Sequence, residues 1–320
     1  MSKSYYFDSE KLSGARVQNR NIDSYRVSVL EREWQVKSFR KDHEYYKSAW
    51  KDILGDNPTS DEVKKLGESL RDILKGLSGG SRNQNTVSAA GTAFESMISW
   101  YLNLLFWGSP VIVGRRHSSL PKVFADITTV MIDGKKSNSE TDLIAFSIPY
   151  SHEFNGYGED LNNHLERSIK DVALTIIQTK TNWNENSQIP MLWNMIYNVN
   201  EFRVKNIKIG VNGFSPRSLD DLRYAFVTMP SQKDLQKFHS GSIAVKRVKT
   251  LSGGNYWCCP PKDDAVLAIH QFPTQNFPEE IAKTDQGNLW GHVQSNLERY
   301  PDLLDSFLGL GFNSIPMGTP

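Results

Sequence analysis

The chain contains only two cysteines in 320 residues, and they are adjacent, Cys258 and Cys259. An adjacent pair suits neither a disulfide framework nor a zinc site, because no second Cys or His pair stands at ligand spacing. The seven histidines are scattered and include no HExxH pattern, which argues against a zinc hydrolase. We therefore predict two reduced cysteines in a strand.

An excess of charge of one sign is also absent. The chain has 37 Lys and Arg against 36 Asp and Glu, a formal net charge of +1. This balance excludes a general coat for polyanions, so any contact with nucleic acid must come from a local concentration of basic residues. The sequence has no GxxxxGK[ST] motif and therefore no recognisable ATP site.

Long hydrophobic runs are absent as well. The most apolar stretch, 97–113, is interrupted by Ser99, Asn103 and the sequence Gly-Ser-Pro at 108–110. It is typical of a buried helix followed by a strand, not of a membrane span. The first residues, MSKSYYFDSEK, lack the apolar core of a signal peptide, so we expect a cytoplasmic protein.

The first 85 residues predict a helical subdomain that serves dimerisation or DNA contact. Residues 24–56 carry apolar side chains at helical spacing. Thr59 and Glu62 have the spacing of a capping box, and an apolar stripe follows from Val63 to Leu77. The Gly- and Ser-rich stretch at 76–85 predicts a flexible connection to the rest.

Residues 86–235 alternate between helical and strand patterns. We predict a helix at 88–107, strands at 111–114, 141–148 and 173–181, a helix at 189–202, and strands in the sequences IKIGVN and YAFVTMP. This order favours an α/β (α+β) fold in which a central mixed sheet is flanked by helices. Residues 236–320 then form a C-terminal extension, with a basic β-ribbon at 241–254 and a helical tail, for DNA recognition or dimer contacts.

Four side chains of the 86–235 segment are candidates for chemistry. Gln178 and Lys180 share one face of a strand because strand neighbours at i and i+2 project to the same side. If the preceding strand pairs with it, the carboxylate of Asp142 joins them, and Glu95 approaches from the helix before. Such oxygen ligands suit a hard cation such as Mg²⁺, with either Glu95 or Glu140 completing the site. Lys180 would contact the phosphate or orient a water.

These residues resemble the PD-(D/E)xK nuclease superfamily, in particular the type II restriction endonucleases. The resemblance lies in Asp142, in the strand that ends with Gln178 and Lys180, and in Glu95 on the preceding helix. Thr141 stands where the family usually has Pro, and Gln178 where it usually has Glu or Asp. The resemblance implies Mg²⁺-dependent hydrolysis of duplex DNA by a homodimer that reads a palindrome. Asp142, Gln178 and Glu95 would then be metal ligands, and Lys180 the phosphate partner.

Other interpretations of these patterns remain open. Gln178 and Lys180 also fit a strand that runs out of the core into solvent, and Glu95 fits a solvated helix flank. The candidate DNA contacts are Arg115, Arg116, Asn182, Asn184, Lys246 and Arg247. The two adjacent arginines also fit a solvated loop, the two asparagines a turn, and the basic pair a charged hairpin. The rival functions are a DNA-binding module that has lost catalysis and a structure-specific repair nuclease.

Overall fold

A computed structural model describes most of the chain. The described residues are 14–34, 40–76, 84–115, 120–137, 141–150, 159–181, 207–229, 238–262, 265–300, 303, 304 and 307. The predicted helix at 189–202 lies outside them.

Helices occur along the whole described chain. They are α1 Gly14–Trp34, α2 His43–Leu54, α3 Ser60–Gly76, α4 Gln84–Leu105, α5 Lys122–Thr128, α6 Glu159–Arg167, α7 Ile243–Leu251, α8 Phe272–Asn276, α9 Pro278–Ala282 and α10 Leu289–Arg299. Short 3-10 turns lie at Ile169–Asp171, Pro216–Ser218 and Ile269–Gln271. The predicted pairing of Thr59 with Glu62 begins α3, because the Thr59 backbone N–H donates to the Glu62 carboxylate at 3.0 Å and the Thr59 hydroxyl oxygen accepts the Asp61 N–H at 3.3 Å.

The strands form two sheets. They are β1 Val111–Arg115, β2 Val130–Ile132, β3 Lys135–Ser137, β4 Leu143–Ser147, β5 Ala173–Lys180, β6 Ile207–Ile209, β7 Asp221–Thr228, β8 Tyr256–Cys258 and β9 Leu267–Ala268. The larger sheet has the order β1-β4-β5-β7-β8-β9, and the smaller has the order β3-β2-β6. In the larger sheet β1, β4 and β5 pair antiparallel, whereas β5, β7, β8 and β9 pair parallel. The prediction of a mixed sheet flanked by helices is confirmed.

Both faces of the six-stranded sheet are covered. Strands β4 and β5 are almost continuously buried, as central strands between two layers usually are. We call the side to which Val113, Leu143 and Ile177 project the front face. The side to which Ile144 and Ile176 project is the back face.

Three groups of buried side chains fill the space around the sheet. The large cluster lies on the front face and joins sheet residues to α2, α3, α4, α8 and α10. The second cluster lies on the back face over β1 and β4 and includes α5 and α6. The third cluster lies on the back face over β5, β7 and β8, and it includes α7 and the small sheet. Burial of this apolar surface is the main stabilising term of the fold.

Helix α4 carries the predicted apolar stripe. Its buried side chains include Phe94, Met97, Ile98, Tyr101, Leu102 and Leu105. The helix ends before Gly108, whose φ of 74° suits glycine, and β1 begins three residues later. The prediction that 97–113 contains a buried helix followed by a strand is therefore confirmed. Among the described helices, none is long and apolar enough to cross a membrane.

Helix α1 is held against the start of β1 by a buried arginine. The Arg26 guanidinium donates to the backbone oxygens of Ser109 and Val111, both at 2.7 Å. It also pairs with Asp23 one turn earlier. Burial lowers the pKa of Arg26 to about 9, so the charged form of the side chain depends on these partners.

The predicted β-ribbon at 241–254 is wrong, because most of this segment is the helix α7. Ser242 caps it by accepting a hydrogen bond from the Val245 N–H at 3.2 Å. Val245 and Val248 are buried, and this spacing of three residues is helical. Lys246 and Arg247 lie between them on the exposed side.

The hairpin of β2 and β3 was missed. Its two-residue turn is Asp133-Gly134, with φ values of 49° and 74°. An Asp-Gly pair between strand-forming residues is a strong hairpin signal, because both turn positions need a positive φ. The signal was present in the sequence VMIDGKKS.

The three predicted segments share one core. The large cluster contains Trp50 of the first segment, Val113 of the second and Phe272 of the third. Strands β8 and β9, from the third segment, extend the sheet built by the second. The predicted domain boundaries stay a prediction.

The two cysteines are unpaired, as predicted, and both are buried, but only Cys258 lies in a strand. Cys258 ends β8, and Cys259 follows it. Burial raises the pKa of both thiols, so they stay protonated near neutral pH and are poor nucleophiles.

Candidate active site

The pairing of β4 with β5 brings Asp142 to the end of the strand that carries Gln178 and Lys180. The register pairs Leu143 with Ile177, and its extension by one residue places Asp142 opposite Gln178. Paired residues of adjacent strands project to the same face of a sheet. Strand pairing thus supplies the proximity that the sequence pattern required.

A direct contact joins Asp142 to the strand. Its Oδ2 atom accepts the backbone N–H of Thr179 at 2.7 Å and the Thr179 hydroxyl at 3.3 Å. Thr179 is the central residue of the Gln-Thr-Lys motif. A hydrogen bond from a backbone N–H to a carboxylate is short and charge-assisted. It fixes Asp142 against the motif, just outside the first residue of β4.

Gln178 is fully buried on the back face. Its Oε1 atom accepts the hydroxyl of Tyr224 at 2.6 Å, and Tyr224 lies on the neighbouring strand β7. An amide oxygen has two lone pairs, and the Tyr224 hydroxyl uses one of them. Tyr224 therefore holds the orientation of the amide.

Lys180 is the last residue of β5 and is partly exposed. Its backbone oxygen accepts the Met229 N–H at 3.1 Å and the Thr228 hydroxyl at 3.2 Å, which fixes the strand end to β7. Within the described ranges, no carboxylate lies within 4.0 Å of its ammonium group. Alternation along β5 places its side chain on the same face as Gln178.

Glu95 lies at the same end of the sheet and forms an ion pair. Its Oε2 atom is 2.8 Å from the Arg115 guanidinium, and the two side chains are 17% and 21% exposed. Arg115 is paired with Leu143, one residue from Asp142. Arg115 shares the front face with Val113 and Leu143. A metal ligand at Glu95 and a phosphate contact at Arg115 would both compete with this ion pair.

Several predicted site residues cannot be compared with the structure. Arg116, Glu140, Asn182 and Asn184 lie outside the described residues. Lys246 and Arg247 are exposed on α7, whose buried side packs on the third cluster with Tyr224. They are therefore on the same side of the sheet as Gln178.

Sequence reasoning missed two residues of the site. Thr179 enters through its backbone N–H, which no side-chain pattern reveals. Tyr224 enters because β7 lies parallel to β5 in a register that pairs it with Ile176, two residues from Gln178. A polar ring at the start of the buried run YAFVT is a signal for a buried hydrogen bond.

The acidic content of the site is low. No group of three or more His, Cys, Asp and Glu side chains that could hold a metal ion occurs in the described part of the chain. Any cation here would be held by a small protein ligand set, with water or substrate oxygens filling the other positions.

Comparisons with protein-family models, curated proteins and solved structures gave no match to the chain. The functional argument therefore depends on the geometry of the residues themselves.

Proposed function

We propose that the chain is a Mg²⁺-dependent endodeoxyribonuclease that cleaves duplex DNA at a specific sequence, as type II restriction endonucleases do. One observation carries the proposal. The Asp142 carboxylate is hydrogen-bonded to the backbone of Thr179, between Gln178 and Lys180. The order of a helix, two antiparallel pairings and a parallel strand around this point also supports it.

The residues fit a magnesium ion of low protein coordination. Mg²⁺ prefers oxygen ligands and is often held by one or two protein groups, with waters and substrate phosphates completing the octahedron. Asp142 and Gln178 would hold it, and Glu95 would join if its ion pair with Arg115 opened. When bound, the metal would acidify a water and neutralise charge that develops on the phosphate.

The protein side chains have separate tasks. Lys180 brings a positive charge to the sheet end, where it would contact a non-bridging oxygen of the scissile phosphodiester. Tyr224 is a positioning residue, because it touches Gln178 and holds the amide oxygen in place. The Thr179 N–H does the same for Asp142. Both tasks reduce the reorganisation that the site needs before cleavage.

A homodimer follows from the same proposal. A twofold dimer presents two identical sites and can cut both strands of a palindrome symmetrically. The helical segment 1–85 and the segment 236–320 are the candidate sources of dimer contacts and base readers.

A catalytically inactive DNA-binding module is the second candidate. It is favoured by the burial of Gln178 and by its hydrogen bond to Tyr224, which together give the amide a structural role. An amide is also a weaker magnesium ligand than a carboxylate. In this candidate, Asp142 only caps the strand end.

Nicking of supercoiled plasmid in Mg²⁺ and in EDTA tests the first candidate. Asp142→Asn keeps an oxygen that can accept the Thr179 N–H but removes the negative charge. We expect its cleavage rate to fall on the order of 100-fold or more, the usual range for loss of an electrostatic contact in a reacting site. Asp126→Asn is the matched control, because Asp126 is a largely buried carboxylate paired with Lys122 on α5.

The outcomes separate the candidates. Equal metal-dependent cutting by wild type and Asp142→Asn would eliminate this site. DNA binding without cutting would favour the inactive module. Discrete fragments from a long duplex would support sequence specificity, whereas smears or junction-specific cuts would support a repair nuclease.

A further inference from the structure

The elements that cover the third cluster carry charge of a single sign. Strands β2, β3 and β6 and helix α7 contain six basic residues and no Asp or Glu. These residues, which we call the basic surface, are Lys135, Lys136, Lys208, Lys246, Arg247 and Lys249. Asp133, in the β2–β3 turn, is the neighbouring acid. In a chain with a net charge of +1, this is a marked local excess.

Five of the six basic residues are exposed and Lys249 is partly exposed, while their neighbours anchor the elements. Lys136 and Lys208 flank Met131 from the two sides of β2, because both are paired with it in the small sheet. Val130 of the same strand is buried in the third cluster. On α7, Lys246 and Arg247 are exposed between the buried Val245 and Val248. The charges are thus displayed by ordered elements.

The surface and the candidate active site share one side of the sheet. Tyr224, which donates to Gln178, belongs to the third cluster together with Val245 and Val130. Gln178 and Lys180 project from the same face of β5. The charge that covers this side therefore lies on the side from which a bound phosphodiester would reach the site.

We infer that the basic surface binds the sugar-phosphate backbone of duplex DNA and seats it over the site. The choice of DNA rests on the proposed function, whereas the attraction to a polyanion rests on the charge itself. Lys and Arg on ordered elements neutralise phosphates and release counterions, which gives affinity without reading sequence. Two separate elements, a helix and a small sheet, would contact different stretches of the backbone.

Binding of a short fluorescent duplex in EDTA, measured by anisotropy at several salt concentrations, tests the inference. Lys246→Glu/Arg247→Glu is expected to weaken binding on the order of tenfold or more at ~0.1 M salt. Lys246→Ala/Arg247→Ala should reduce the slope of log K against log salt by about two. Lys208→Glu tests the small sheet separately and should weaken binding in the same direction.

The matched control reverses the same number of charges on the front face. Lys65 on α3 and Lys283 after α9 are 67% and 72% exposed, and their elements pack on the large cluster. Lys65→Glu/Lys283→Glu should keep a larger share of the affinity than the α7 reversal. Thermal melting of each variant shows whether it is folded.

Four outcomes decide the inference. Equal weakening by the α7 and control reversals would overturn it, because overall charge would then explain binding. Equal affinity for an RNA duplex of the same sequence would overturn the assignment to DNA. Binding by wild type that depends on α7, without any cleavage, would support the surface while contradicting the nuclease proposal. Cleavage that is unaffected by the α7 reversal would support the nuclease proposal while contradicting the role of the basic surface.

Discussion

Helices α3 and α7 lie on opposite faces of the six-stranded sheet and differ in charge. Both bury an apolar stripe, with Leu66 and Leu70 of α3 in the large cluster and Val245 and Val248 of α7 in the third. Helix α3 contains four acids and four bases. The outer side of α7 carries three bases and no acid.

This contrast in charge indicates a different role for each face. The charges of α3 are paired along the helix, as between Lys64 and Asp61 at 2.6 Å. Such exposed pairs stabilise a protein only slightly, but they leave no net field. The like charges of α7 repel one another and attract an anion. We therefore interpret the front face as the stabilising side and the α7 region as a binding side.

The largest expected effect comes from the front-face core. Trp100 is buried and stacks on Trp50 with ring centroids 4.1 Å apart, and its indole N–H donates to the Phe307 oxygen at 3.0 Å. Trp100→Ala should reduce the free energy of unfolding by about 3–5 kcal/mol, because it leaves a cavity and removes this hydrogen bond. Urea denaturation at equilibrium measures the loss.

The stability of the α7 reversal is compared with that of this core variant. Lys246→Glu/Arg247→Glu changes exposed side chains, so its unfolding free energy should stay within about 0.5 kcal/mol of wild type. A loss well outside this range would contradict the division of the two faces. It would mean that the α7 charges stabilise the fold.

A smaller effect distinguishes two buried amides. Asn276, on the front-face side, donates to Asn255 and to the Phe272 oxygen, both at 3.0 Å, and accepts from Asn255 at 2.6 Å and from Thr175 at 3.3 Å. Asn276→Leu should cost about 1–3 kcal/mol of stability and leave cleavage per folded molecule unchanged. Gln178→Leu should have a similar effect on stability but abolish cleavage.

Denaturation and plasmid cleavage, measured side by side for Asn276→Leu and Gln178→Leu, check this comparison. Gln178→Glu completes the set, because a carboxylate at this position should retain some cleavage and alter its dependence on the metal. Full cleavage by Gln178→Leu would show that the amide is not a ligand. The two buried amides would then have the same structural role.

The sequence predicts most strands of the larger sheet, but it does not predict which strands lie next to each other. The strands around Leu143, Ile177 and Ala225 were predicted because buried strands leave an apolar run of strand length. The helix α7 was mistaken for a ribbon because its short apolar pattern fits both periods, and only the Ser242 cap and the burial of Val245 decide between them. Tertiary packing decides which strands pair in parallel. The local sequence pattern therefore does not predict that Tyr224 lies beside Gln178.

The candidate site was predicted in part for the same reason. Asp142 and the Gln178 strand were expected to meet, and their antiparallel register brings them together. The sequence does not predict the pairing of Glu95 with Arg115, although Glu95 is a candidate metal ligand and Arg115 a candidate DNA contact. Opposite charges on a helix and a strand end attract each other whenever packing brings them close, and sequence spacing carries no signal of that.

The smallest expected effect concerns the charge balance of α3 and is measured as the pH is lowered. Hydrogen bonds from the Thr59 hydroxyl and backbone N–H lower the pKa of Glu62 to about 2. A carboxyl whose pKa is lower in the folded state stabilises the protein above its ordinary pKa of 4.5, and this contribution is lost as the pH falls toward 2. Glu62→Gln keeps an acceptor for Thr59 but cannot titrate, so its melting temperature should fall less steeply than that of wild type across this window.

Glu279→Gln, which removes an exposed acid paired with Lys283, is the control for loss of a charge. If the melting temperatures of wild type and Glu62→Gln fell equally steeply with pH, the acids of α3 would not stabilise the front face.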